Sequence, residues 1–354
     1  MMRGNTYTLN AAVPLFLCVA IYSSSALSAE PVARACGDMA PAQHLVRPAG
    51  APTGSEFVKQ IEGMSDDERE SAILEQALSG NFPTFLRHTK PVSLTGYSAD
   101  GKPVSVTLCV APDYLAIGSD SDYLYVPMRL KTAIAVADRY NSVLPTPKIV
   151  DAIYEQARVH LQPQPLPAGD TMRTTGYYWH HSEIVREQRE SAGAPLGALT
   201  AGDKKDLVLT NRFWSHLARV AIYGWHHPDG QPIQPLSTVH GSRYADYSHG
   251  VRLVSGVAEV NGVATSLLDD LQNPKLAPVL SDEGAIPNAR ELLRILATQT
   301  LRSWNGCVSS AGGCRPPHQI EEVPVIREAQ EPRRELVAAL AINLAHPFDE
   351  MLDQ

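Results

Sequence analysis

The apolar positions of this chain switch between helical and strand spacing several times along its length. In residues 65–78, SDDERESAILEQAL, apolar side chains recur every three to four residues after a serine and two acids, which is typical of a capped amphipathic helix. Residues 92–110, VSLTGYSADGKPVSVTLCV, alternate around an Asp-Gly pair, which predicts a β-hairpin. Two short strands, YLAIG and DYLYVPM, follow it.

Two helices and then mainly strands are predicted beyond residue 129. Residues 130–140 and 147–161 carry helical spacing, and Thr146 with Pro147 marks the start of the second helix. Strands are predicted for DLVLT, RVAIYGW, PIQPLSTV and GVRLVSGVAEV, and helices for VATSLLDDL, NARELLRILATQTL and RRELVAALAINLA. The predicted fold class is α+β, with an antiparallel-rich β core, packed helices and a helical N-terminal segment.

Residues 1–29 are typical of an export signal, with an apolar run of 12 residues, AAVPLFLCVAIY, and small residues before a preferred cleavage site after Ala29. That run is too short to span a bilayer, which takes roughly 20 residues. We therefore expect a periplasmic or secreted protein without stable membrane insertion.

The proline-rich segment LQPQPLPAGD is the best candidate for a domain boundary. It divides the mature chain into an N-terminal α+β part, residues 30–160, and a C-terminal α+β part, residues 161–354. The alternative is that both parts form one continuous domain.

The mature chain contains four cysteines, and an even number in an exported protein favours disulfides. We favour Cys307 with Cys314, which lie in the short loop CVSSAGGC, and Cys36 with Cys109. A net charge of −8 excludes a general affinity for nucleic acid.

The densest group of reactive side chains is HGSRYADYSHG, which begins at His240. We predict His240, Asp246 and His249 as catalytic residues, because histidine titrates near neutrality and a carboxylate can orient its ring and stabilise its cation. The competing interpretation is a strand on which Tyr244, Asp246 and Ser248 are merely exposed positions.

Seven further residues are candidates for substrate binding: Arg243, Tyr244, Ser248, Arg252, His181, Glu183 and Lys205. For two of the segments that supply them, HHSEIVREQR and GDKKD, a solvated helix start and a plain polar turn are the alternatives. Asp120 and Asp122 are explained by local Asx turns.

A divalent metal such as zinc is the possible cofactor, since imidazoles and a carboxylate suit a catalytic zinc. The candidate ligands are His226, His240, Asp246 and His249. No H-E-x-x-H or similar ligand spacing is present. If RVAIYGW and PIQPLSTV form a hairpin, His226 lies near its turn and His240 at its far end.

The His-Gly pair at residues 240–241, followed by SHGVRL at residues 248–253, resembles the paired motif of the L,D-transpeptidases. The resemblance implies that His249 belongs to the site and that Arg252 binds substrate. Val251 stands where that family has its nucleophilic cysteine, so thioester chemistry is excluded and a hydrolytic or non-catalytic relative is implied. Longer stretches are similar to exported bacterial proteins to which no activity is attached.

The leading functional hypothesis is an exported hydrolase that acts on a cell-envelope or extracellular polymer, or on a smaller substrate, through the histidine and aspartate cluster. The alternative is a non-catalytic periplasmic protein that binds a glycan or peptide. A structural or assembly factor is a third class, and no sequence feature supports it.

Overall fold

A computed structural model describes residue 1, residues 36–37 and residues 46–302 of the chain. The described helices are α1 Gly54–Ile61, α2 Asp66–Leu78, α3 Leu130–Arg139, α4 Pro147–Gln156, α5 Thr175–Ser191, α6 Leu267–Gln272, α7 Ala277–Leu280 and α8 Ala289–Arg302. The strands of the first half are β1 Lys90–Tyr97, β2 Pro103–Val110, β3 Ala116–Gly118, β4 Tyr123–Tyr125, β5 Ser142–Val143 and β6 Val159–His160. Those of the second half are β7 Thr200–Ala201, β8 Lys205–Leu207, β9 Ile222–His226, β10 Pro232–Ser237, β11 His249–Gly250, β12 Val254–Val260 and β13 Val263–Ser266.

The larger sheet is antiparallel and joins both halves of the chain. Its strands run in the order β1-β2-β12-β13, and β5 pairs with the N-terminal end of β12. The hairpin β1–β2 is in register from Lys90 opposite Val110 to Tyr97 opposite Pro103, which confirms the predicted hairpin. Because β12 pairs with β2, residues on either side of the proline-rich segment share one sheet.

The smaller sheet includes β11, which is the end of the segment that contains the predicted catalytic residues His240, Asp246 and His249. Its order is β10-β9-β8-β11, with antiparallel pairs β10–β9 and β9–β8 and a parallel pair β8–β11. Lys205 of β8 pairs with Gly224 and His249, and the next residue, Asp206, pairs with Tyr223 and Gly250. Since successive side chains of a strand point to opposite faces, Lys205 and Asp206 face opposite sides of this sheet.

Local signals account for the helices that flank the two sheets. Ser65 accepts a hydrogen bond from the Glu68 backbone N–H, and the Glu68 carboxylate accepts one from the Ser65 N–H, so α2 begins with a capping box. Thr146 accepts a bond from the Ile149 N–H at the start of α4. Helix α4 packs on both β1 and β9, and this brings it beside the smaller sheet.

The α+β fold class predicted from the sequence is confirmed. The predicted Cys36–Cys109 disulfide is also present, with its Cα atoms 5.5 Å apart. Cys307 and Cys314, and the helix predicted for RRELVAALAINLA, lie outside the described residues. In the described part of the chain, no helix is long and apolar enough to cross a bilayer.

Four local predictions are wrong. The helix predicted for residues 147–161 ends at Gln156, and Val159–His160 forms strand β6. Residues 263–266 form strand β13, because they pair with β12, and the helix begins only at Leu267. Helix α5 begins at Thr175 and buries one face, so HHSEIVREQR is not a solvated helix start. The carboxylates of Asp120 and Asp122 accept hydrogen bonds from Thr84 and Ser55 of other segments instead of forming local Asx turns.

Candidate functional site

The segment from residue 240 to residue 250 folds around the carboxylate of Asp246. Oδ1 of Asp246 accepts hydrogen bonds from the backbone N–H of Ser248 at 2.8 Å and from its hydroxyl at 2.6 Å. Oδ2 accepts a bond from the Tyr244 hydroxyl at 2.9 Å. The interpretation of this segment as a strand with exposed polar positions is wrong, because Asp246 is 2% exposed and Ser248 is fully buried.

The three predicted catalytic residues lie near one another, with Tyr244 between them. Nε2 of His249 lies 3.8 Å from Oδ2 of Asp246, which is too long for a hydrogen bond. The ring of His240 stacks on that of Tyr244 with the ring centres 4.1 Å apart, and Tyr244 in turn contacts His249 edge to face. His240 is half-buried and forms the outer side of this group, whereas His249 forms its interior.

Burial and the surrounding hydrogen bonds determine the protonation states of His249 and Asp246. It lowers the pKa of His249 to about 4, although the Asp246 carboxylate acts in the opposite direction. Burial also opposes ionisation of Asp246, but His249 and the hydrogen bonds from Ser248 and Tyr244 outweigh it and lower the pKa of this carboxyl. At neutral pH the pair is therefore a neutral imidazole beside a carboxylate.

The cluster is closed to a substrate in this conformation. His249 is 1% exposed, and neither of its ring nitrogens has a hydrogen-bond partner in the described part of the chain. A general base must come within about 3 Å of the proton that it removes, directly or through one water molecule. The buried ring of His249 does not reach solvent, so a substrate could approach it only if Tyr244 or His240 moved.

Of the predicted substrate-binding residues outside this segment, Lys205 joins the cluster. It lies opposite His249 on the neighbouring strand, and its Nζ lies 4.8 Å from the centre of the Trp225 ring. Burial lowers its pKa, against the attraction of Asp246.

The other predicted residues lie elsewhere. Nζ of Lys204 lies 2.8 Å from Nδ1 of His181, and burial together with this ammonium lowers the pKa of His181 to about 2. Arg243 donates to both carboxylate oxygens of Asp67, at 2.6 and 2.7 Å. Glu183 lines a separate pocket of about 500 Å³ beside α5.

Arg252 is fully buried on the opposite face of the smaller sheet. It donates to the backbone carbonyls of Ala111 and Thr200 at 2.9 and 2.7 Å and lies over the ring of Tyr114. These contacts tie β2 and β7 to the segment before β12, so the role that the structure gives Arg252 is in packing. As placed, it has no surface with which to touch a substrate.

The four predicted metal ligands are not brought together. His226 bonds to Asp151 on the other face of the sheet from His249. In the described residues, no group of three or more His, Cys, Asp or Glu side chains is arranged to hold a metal ion.

An open cleft between α4 and β9 contains a second polar group, which includes His226 but none of the other predicted site residues. The cleft, here called the α4–β9 cleft, has a volume of about 690 Å³. It is lined by Asp151, Tyr154, Glu155 and His160 on one side and by Tyr223, His226 and residues 228–232 on the other.

The Asp151 carboxylate is held in place in this cleft by two side chains of β9. Nε2 of His226 lies 2.9 Å from Oδ1, and the Tyr223 hydroxyl lies 2.9 and 3.0 Å from the two oxygens. The His226 ring stacks on Tyr154 with the ring centres 4.5 Å apart. The side chain of Asp151 is 37% exposed while that of His226 is 3% exposed, so the carboxylate faces the cleft and the imidazole lies behind it.

A distortion of β9 makes this arrangement possible. Tyr223 and His226 are three residues apart, and strict alternation would place them on opposite faces of the sheet, yet both bond to Asp151. The backbone between them has φ values of +103° at Gly224 and +59° at Trp225. A positive φ is strained for a bulky residue, and such strain is concentrated at functional sites.

Only weak sequence signals point to this cleft. Asp151 and Glu155 lie four residues apart and thus on one face of a helix, and His226 lies three residues before the Asp-Gly pair at residues 229–230. The contact between Asp151 and His226 spans 75 residues. Comparison with known protein families, with curated proteins and with solved structures finds no match for this chain.

Proposed function

We propose that the chain is an exported protein that binds a segment of a cell-envelope or extracellular polymer in the α4–β9 cleft. The observation that carries the proposal is the oriented carboxylate of Asp151, held by His226 and Tyr223 at the wall of an open cleft of about 690 Å³. Pockets of this size with aromatic walls and a few fixed polar groups are typical ligand sites.

The contrast between the two polar groups favours binding over the catalysis first expected of residues 240–250. His249 is buried and has no contact with solvent, whereas Asp151 is more than one-third exposed. The two groups that bond to Asp151, His226 and Tyr223, are already in place before a ligand arrives, so little side-chain ordering opposes binding.

Export is supported by two independent features. The first is the apolar segment at residues 11–22, which is typical of a signal peptide. The second is the Cys36–Cys109 disulfide, since such bonds persist in oxidising compartments.

The test is a binding assay with the mature chain, from Glu30 onward, produced in an oxidising compartment. Purified cell-wall glycan and wall-derived peptides are titrated against wild type, Asp151→Asn and a control, Glu62→Gln, which removes one exposed carboxylate outside the cleft. We expect saturable binding that Asp151→Asn weakens and Glu62→Gln leaves unchanged. Equal binding by Asp151→Asn would exclude the cleft as the site.

An exported hydrolase is the second candidate, and the hydrogen-bonded Asp151–His226 pair in an open cleft favours it. A cleft-facing carboxylate can serve as a general base. If the wild type released a product and Asp151→Asn did not, the protein would be an enzyme that depends on Asp151. If product formation depended instead on His249, a His249→Ala variant that keeps its fold would lose it.

A further inference from the structure

The hydrogen-bonding groups that face the α4–β9 cleft are almost all acceptors. Asp151, Glu155 and Asp229 contribute carboxylates, and no Lys or Arg side chain lines the cleft. Within the described residues, none of these three carboxylates forms an ion pair with a lysine or arginine. The cleft therefore carries three carboxylates that no lysine or arginine of the described residues neutralises.

The imidazoles of the cleft are engaged within the protein. Nε2 of His226 faces a carboxylate oxygen of Asp151 at 2.9 Å, and Nε2 of His160 faces the carbonyl oxygen of Tyr154 at 2.8 Å. Because both partners can only accept, both Nε2 atoms carry a proton and donate it to the protein. No described residue bonds to Nδ1 of His226, although this ring is 3% exposed.

The donors of the same wall are already engaged within the protein. The hydroxyls of Tyr154 and Tyr223 donate to the His227 carbonyl and to Asp151, and the Gln231 N–H donates to Asp229. Pro228 and Pro232 have no N–H. Two donors of the lining residues have no acceptor among the described bonds, namely the side-chain amide of Gln231 and the backbone N–H of Asp229.

We infer that the group bound in this cleft is a cation with several donors, the ammonium of a lysine or the guanidinium of an arginine in a basic peptide. Such groups have three or five N–H donors and no acceptor, which complements a wall of acceptors. A neutral glycan can donate its hydroxyls to these carboxylates, but it brings no positive charge to balance them, so a cation fits better. This inference rests on the proposed function, since it names the ligand of the same cleft.

The test is a calorimetric titration of the mature chain with three probes of equal length: blocked tetralysine, blocked tetraalanine and the neutral oligosaccharide chitotetraose. We expect saturable binding of tetralysine, weakened at least tenfold by Asp151→Asn and severalfold by Glu155→Gln. Glu62→Gln, which removes the same charge away from the cleft, is expected to change the affinity by less than twofold. This control separates binding in the cleft from general attraction to an acidic protein.

Each alternative outcome has a distinct meaning. If chitotetraose binds and Asp151→Asn abolishes this binding, the cationic ligand is excluded while the proposed function stands. If tetralysine binds equally to Asp151→Asn, Glu62→Gln and wild type, its binding is unspecific and the inference fails. If neither tetralysine nor chitotetraose binds and wall-derived polymers also fail to bind, both the inference and the proposed function are overturned.

Discussion

Replacement of His249 by leucine is expected to make the protein more resistant to acid. In the folded protein, burial lowers the pKa of this imidazole from 6.5 to about 4. As the pH falls below 6.5, the unfolded chain therefore takes up a proton that the folded protein refuses, and stability is lost progressively down to about pH 4. Leucine has a similar size and no such proton, and it sacrifices no hydrogen bond because neither ring nitrogen makes one.

The magnitude follows from the shift. Each pKa unit corresponds to about 1.4 kcal/mol, so a fall from 6.5 to about 4 corresponds to about 3 kcal/mol. The side chain has no exposed surface, so solvent screening does not reduce this value. Relative to wild type, His249→Leu should therefore gain about 3 kcal/mol between pH 7 and pH 4.

The comparison with the variant is necessary because other buried groups act in the opposite direction. Burial raises the pKa of Asp206 to about 6 and that of Asp203 to about 7. The folded protein binds these protons more readily than the unfolded chain does, so they stabilise it as the pH falls through the same range. The total pH dependence of wild type thus mixes both signs, whereas the difference between wild type and variant cancels the contributions of Asp203 and Asp206 and reports His249 together with its neighbour Asp246.

Urea unfolding at pH 7, 6, 5 and 4, followed by tryptophan fluorescence, measures this difference. His216→Gln, which replaces an exposed histidine, is the matched control variant. If the difference between wild type and His249→Leu does not change with pH, His249 is not a buried neutral imidazole.

Three further predictions concern stability. The double variant Cys36→Ser/Cys109→Ser should lose about 4 kcal/mol in urea unfolding, because the disulfide closes a loop with a separation of 73 residues and its loss frees the unfolded chain; an unchanged midpoint would contradict this. Gly250→Ala places a Cβ 2.5 Å from the ring of Tyr114, so thermal unfolding should reveal a loss of about 1–3 kcal/mol, and an unchanged melting temperature would show that the ring can move. Ser65→Ala removes the cap of α2 and should cost about 1 kcal/mol, and no loss in urea would show that the cap contributes nothing.

The parts of the fold that the sequence predicted well are those encoded by neighbouring residues. The hairpin β1–β2 depends on alternation around one Asp-Gly turn, and the start of α4 depends on Thr146 and Pro147. The pairing of β12 with β2 has no such local code, since more than 140 residues separate strands whose patterns fit many partners. Residues 263–266 show the same limit, because their pairing with β12 overrides a helical pattern.

For the candidate site, the sequence indicated which residues cluster but not which of them are accessible. Tyr244, Asp246 and His249 are close because they are close in the chain. Their burial comes from packing against distant segments, including the strand pair between β11 and β8. The sequence does not predict the contact between Asp151 and His226, because these residues come from α4 and β9, are far apart in the chain and share no motif.

The smaller sheet separates the cluster around His249 from the polar group of the α4–β9 cleft, because the two lie on its opposite faces. On β8, Lys205 faces the closed cluster of His249, while Asp206 faces the side of Tyr223 and the cleft. A regular β9 would send Trp225 to the same side as Tyr223 and His226 to the other. In the structure the two side chains point the other way, because the Lys205 ammonium lies over the Trp225 ring and His226 bonds to Asp151.

This reversal requires positive φ at Gly224 and Trp225, and a bulky residue in that region costs on the order of 1–3 kcal/mol. Glycine at residue 224 has a second role, since a Cβ there would lie 3.3 Å from the His226 ring. A strand built only for stability would avoid the strained tryptophan. The strain lies at Trp225, the residue that turns His226 toward Asp151. For this reason we propose that the function of this protein lies in the α4–β9 cleft and not in the segment of residues 240–250.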